Sequence, residues 1–208
     1  MFLMIHSHRA MRLLAVAVSC VVVGACIQRK PERTVKKESP VTGELASVVE
    51  EDSAMRVNLD IPDTARARVS QRNRDVVYRL LAQALVVDPE DLYRAALVLQ
   101  HSERPAAREC CLLAHKLAVE AVEKGYPRAR FLAAAALDRY LLLNDRPQKY
   151  GTQYTRNRAG QYVILPYDTQ TPDSVRAAWD VPSLDSLQKE LKSIKVPKKK
   201  TTQYKTKH

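Results

Sequence analysis

The chain lacks most of the features on which recognisable chemistry is built. Only four cysteines occur in 208 residues, at positions 20, 26, 110 and 111, and they do not form the spaced pairs of a disulfide framework. No Cys/His spacing resembles a zinc site, so neither a metal nor another cofactor is expected. No apolar run reaches the roughly 20 residues that a bilayer-spanning helix needs. The positive charge is also less general than it looks. Formal net charge is +11, but the eight lysines from Lys189 onward, offset only by Glu190, contribute 8 − 1 = +7, and Arg9 and Arg12 add two more. The remainder is close to balanced, which argues against a basic face for nucleic acid.

What is present begins near the start, in Met11-Arg-Leu-Leu-Ala-Val-Ala-Val-Ser-Cys-Val-Val-Val-Gly-Ala-Cys26. A cationic lead, an apolar run from Leu13 to Val23, and small residues before a cysteine have the layout of a bacterial export signal. Val23-Gly24-Ala25-Cys26 resembles the lipobox of bacterial lipoproteins. The resemblance implies a signal peptide over residues 1–25, acylation of Cys26 with palmitate-type chains, and anchorage in the cell envelope, facing the periplasm. Each buried methylene contributes ~0.8 kcal/mol, so several acyl chains together make a stable anchor. Plain secretion after the same cut is one alternative, because Val23 and Ala25 also satisfy the small-residue rule, and an uncleaved anchor is another. Ile27, where Asp would resemble an inner-membrane retention signal, inclines the expectation toward the outer membrane. Met1 and Met11 are both acceptable starts.

Residues 26–60 read as an acylated N-terminus and flexible linker, a coil spanning about 30 Å r.m.s.. Residues 61–195 read as one helical domain. Pro62 opens a helix in which Val69, Val76, Val77, Leu80, Leu81, Ala84 and Leu85 form one apolar stripe. Asp88-Pro-Glu-Asp91 starts a second, Pro105 a third that Gly125 ends, and Pro127 a fourth running to Leu143. That fourth helix is apolar on nearly every side, so it belongs at the centre of a bundle. Residues 151–155 and 161–165 flank a turn and predict a hairpin, followed by brief helices from Thr171 and Pro182. The spacing of Ala95 and Ala129, 34 residues, and the Gly125-Tyr-Pro-Arg-Ala129 joint resemble tetratricopeptide or Sel1 repeats. The expected fold is mainly α, a compact helical-hairpin bundle of that packing type with a small C-terminal β-hairpin. Cys110 and Cys111 are expected as small buried thiols and His115 on a helix surface. Residues 196–208 read as a solvated, disordered lysine-rich tail. Contact with an anionic envelope surface, about 1 kcal/mol per charge, is the other reading of that tail.

Asp138 and Arg139 interrupt the most apolar helix. Adjacent helical residues do not face each other, so each needs a partner from elsewhere. The polar run Arg146-Pro-Gln-Lys-Tyr-Gly-Thr-Gln153 supplies candidates, and Gln100 and His101 close an otherwise apolar helix. Two readings fit. In one, Asp138 and Arg139 pin the loop to the central helix. In the other, the same groups line a pocket, with His101 able to move protons and Arg139 able to hold a carboxylate or phosphate. Thr152 and Tyr150 are the only nucleophile candidates, and weak ones.

The segments Asp91–His101, Ala114–Ala118, Ala134–Leu141 and Pro147–Gln153 resemble a family of bacterial proteins defined only as a domain of unknown function. The resemblance spans about residues 72–184. It implies a shared fold and a shared site at Gln100, His101, Asp138, Arg139, Gln148, Tyr150 and Gln153, and no activity. The expected function is a membrane-anchored binding module for a protein or peptide partner. The alternative is a small periplasmic hydrolase using His101 and Asp138.

Overall fold

The computed structural model describes residues 39–58 and 60–194. The export signal, Cys26 and the lysine-rich tail expected from the sequence lie outside them. Along the described chain run α1 (Pro40–Val57), α2 (Asp63–Ala82), α3 (Pro89–Gln100), α4 (Ala107–Glu123), a 3-10 turn (Pro127–Ala129) and α5 (Arg130–Leu143). Strands β1 (Tyr154–Arg156) and β2 (Tyr162–Ile164) follow, then α6 (Asp173–Ala177) and α7 (Leu184–Ser193). The fold is mainly helical with one two-stranded antiparallel sheet, as the periodicities predict.

Local chemistry explains the boundaries. The Asp88 carboxylate accepts from the Glu90 N–H at 2.9 Å and caps α3, filling one of the donors that every helix start leaves open. The Ser183 hydroxyl does the same for α7, accepting from the Ser186 N–H at 3.2 Å. Gly125, at φ 91°, ends the α4 turn in the left-handed region.

α3, α4 and α5 pack side by side at the centre. Their contacting faces carry Ala95 and Ala96, Ala114, Ala118 and Ala121, and Ala133 and Ala136, all buried. Small side chains let the helix axes approach closely, while Leu92, Leu99 and Leu132 fill the space between them. Cys110 and Cys111 sit in this interior as buried free thiols, with the Tyr78 hydroxyl 3.1 Å from Cys110 Sγ. A smaller core of Ala134, Tyr150 and Val181, flanked by Phe131, Trp179 and Leu187, joins the C-terminal elements to α5.

α1 corrects the linker expectation for residues 26–60. Ser39 caps it, accepting from the Thr42 N–H at 3.1 Å, and Pro40 occupies its first position. Val41, Leu45, Val48, Val49 and Asp52 recur on one face, which packs on α2 and α3. Leu45 is completely buried, and burying a side chain of that size contributes about 1.5–3 kcal/mol. The stripe is easily missed in the sequence because acidic and small residues separate its members and a carboxylate ends it.

Candidate functional site

Asp138 organises the polar interior. α5 presents it fully buried. Its Oδ1 accepts from the backbone N–H groups of Lys149 (2.7 Å) and Tyr150 (2.9 Å). Its Oδ2 accepts from the Thr152 N–H (2.9 Å) and hydroxyl (2.8 Å). The loop after α5 is therefore wound around one carboxylate. Burial pushes that carboxyl above its ordinary value, and the four donors oppose the rise.

A second layer repeats the pattern. Gln148 Nε2 donates to the carbonyls of Gln153 and Leu165, both at 2.9 Å, and its Oε1 accepts from the Gln153 N–H at 2.8 Å. Gln153 Nε2 donates to the Ala135 carbonyl at 3.3 Å and to Thr152 Oγ1 at 3.0 Å. Arg176, only 1% exposed, donates to the carbonyls of Tyr150, Thr171 and Asp168. The Tyr150 ring packs on Trp179. The loop residues expected at a site are thus brought together, and their polar groups are occupied in holding the loop. Thr152 Oγ1 donates its proton to Asp138, which leaves it poorly placed as a nucleophile. Gly151 sits inside this turn at φ 84°, and a Cβ there would stand 2.9 Å from Leu184 Cδ2. Gly151→Ala is expected to cost about 2 kcal/mol, mostly from left-handed strain, with a shift of the Leu184 side chain adding a little. An unchanged denaturation midpoint would contradict this.

His101 is not at this cluster, a correction to its expected pairing with Asp138. Its Nδ1 donates to Asp52 Oδ2 at 2.6 Å, and Arg56 grips the same carboxylate at 3.0 and 3.1 Å. Arg56 also donates to the His101 carbonyl at 3.0 Å. Arg139 turns to the carbonyls of Gln100 and Ser102, closing the acceptors that the end of α3 leaves open. Gln100 is reached through its backbone only, and its Oε1 has no hydrogen-bond partner among the described residues. Both members of the Asp138–Arg139 pair find remote partners, as helical geometry requires, but in two separate places. Asp52 is the missed residue, hidden in the stretch read as linker. His115 is half-buried rather than on a surface, 2.9 Å from the Ala133 carbonyl.

One concave feature of the described residues borders the loop after α5. A cavity of about 380 Å³ opens between α3, α5 and α7. Leu97, Phe131, Leu132, Leu187 and Leu191 make its apolar wall, Gly151, Thr152 and Tyr154 edge it, and Arg128, Asp180 and Glu190 bring charge to it. A signal for it existed. α3 is apolar on two faces, Ala95 and Ala96 turning into the core while Tyr93 and Leu97, four residues apart, form a second stripe.

Among the described residues no helix is long and apolar enough to cross a membrane, and no three metal-ligating side chains gather. No family model, curated protein or solved structure matches this chain.

Proposed function

We propose that this chain is a lipid-anchored protein of the bacterial envelope whose helical domain is a binding module, the cavity between α3, α5 and α7 receiving the apolar part of its ligand. The cavity carries the reading. At about 380 Å³ it falls within the ~300–1,000 Å³ range of small-molecule sites, and it joins apolar walls to a few polar groups. The anchor rests on the residue pattern Met11–Cys26 and on the resemblance stated above. A hydrolase built on His101 and Asp138 finds no support in the geometry, since the hydrogen bonds of each go to other partners.

Two measurements test the reading. Mass spectrometry of the native product is expected to find Cys26 first in the chain and acylated; an unmodified full-length polypeptide from the cell interior would overturn the anchor. For the cavity, the fluorescent probe anilinonaphthalene sulfonate should bind the wild type, and Leu97→Trp, which fills the space, should remove about nine-tenths of the signal. Equal signals from both proteins would remove the cavity as the binding site.

A further inference from the structure

Building on that binding reading, we propose that the cavity's ligand is a single-chain zwitterionic amphiphile of the lysophospholipid class, its tail inside and its two head charges bridging Arg128 and Glu190.

Size sets the first limit. A cavity of about 380 Å³ is near the small end of known ligand sites, which leaves room for one hydrocarbon chain and not for two. The interior supplies a matching environment, because Leu97, Phe131, Leu187 and Leu191 offer hydrocarbon from three different helices.

Charge sets the second limit. Three charged side chains reach the cavity. Asp180 already has a partner, lying 3.9 Å from Arg130. Arg128 and Glu190 are different. Both are exposed, and neither side chain makes an ion pair or hydrogen bond with any described residue. They stand on separate elements, the 3-10 turn before α5 and the helix α7, and do not pair with each other. One guanidinium and one carboxylate, both lining the apolar space and not paired with each other, match a head that carries both an anion and a cation. A guanidinium is well suited to phosphate oxygens, and a carboxylate to an ammonium. A purely anionic head would satisfy Arg128 and meet repulsion from Glu190. A purely cationic head would meet the reverse at Arg128.

Calorimetric titration of the full chain carrying Cys26→Ser, which cannot be acylated there, tests this with four probes below their micellar concentrations. They are decylphosphocholine, decanoate, decyltrimethylammonium and decanol. Decylphosphocholine is expected to bind about 3–5-fold more tightly than any of the others, the gain typical of one exposed ion pair. Arg128→Gln should remove that advantage over decyltrimethylammonium, and Glu190→Gln the advantage over decanoate. If decanol binds as tightly as the zwitterion, or neither variant changes the order, the ligand class is wrong while the binding module stands. If no probe binds, or Leu97→Trp leaves all binding intact, the binding reading falls with it.

Discussion

Asp138→Ala is expected to lower the unfolding free energy by about 4 kcal/mol, the largest effect of any single polar substitution in the domain. The carboxylate takes four donors, three of them backbone N–H groups. Alanine leaves those three in a buried loop with nothing to bond. Each unsatisfied buried donor costs about 1–3 kcal/mol before the loop adjusts. Against a total stability of about 5–15 kcal/mol, such a loss places the C-terminal elements at risk of detaching together. Asp138→Asn separates charge from connectivity. Its oxygen can still serve Lys149 and Tyr150, but its amide meets the Thr152 N–H donor to donor, so about 2 kcal/mol is expected. Urea denaturation of both variants decides the matter. Near-equal midpoints for wild type and Asp138→Ala would mean that the loop is held by something other than this carboxylate.

The second large effect belongs to the junction of α1 with the end of α3. Asp52→Ala is expected to cost about 3 kcal/mol, the low end for breaking a buried ion pair, because Arg56 keeps a third of its side-chain surface in water. The loss should be local. Hydrogen exchange in Pro40–Val57 should quicken by orders of magnitude while α3 to α5 keep their protection. The same junction makes the domain acid-sensitive. His101 faces Asp52 and Arg56 from α1 and Arg139 from α5, one carboxylate against two guanidinium groups. Burial pulls its pKa below the ordinary value of 6.5; the bond to Asp52 opposes this, and both arginines add to it. The folded state therefore takes up this proton less readily than the unfolded chain. Stability is full above about pH 6.5 and falls below it, by at most ~1.4 kcal/mol per pH unit. Burial would raise the Asp52 carboxyl, but bonds from His101 and Arg56 take it below 3.8, so its own contribution is lost only in stronger acid. His101→Gln should flatten the slope between pH 5 and 6.5. An unaltered slope in that variant would assign the acid sensitivity to other groups.

These two junctions show what the sequence could and could not reveal. Prolines at Pro62, Pro89, Pro127 and Pro182, with the Asp88 and Ser183 caps, mark helix starts by local chemistry, and local chemistry is readable. Asp138 was also legible, since a carboxylate in an alanine-rich helix demands partners and the polar run 146–153 was the nearest supply. Direction was harder. Nothing local says that Arg139 turns to the carbonyls of Gln100 and Ser102 while Asp138 turns the other way. The pairing of Asp52 with His101 joins residues 49 apart, and only tertiary packing brings them together. Arg176 was passed over for a related reason: nothing local in a short helix marks it, yet the fold buries it as a donor to three carbonyls. The cavity depends on where α7 comes to rest, which no periodicity encodes.

The order in α1 also sets the length of any leash. Had the chain stayed extended to residue 60, the 34 residues after Cys26 would reach at most ~120 Å. With the cap at Ser39, 12 residues lie between Cys26 and the first described residue, so the two stand at most ~45 Å apart. Acylation of Cys26, as proposed above, would therefore keep the start of the domain within that distance of the lipid headgroups.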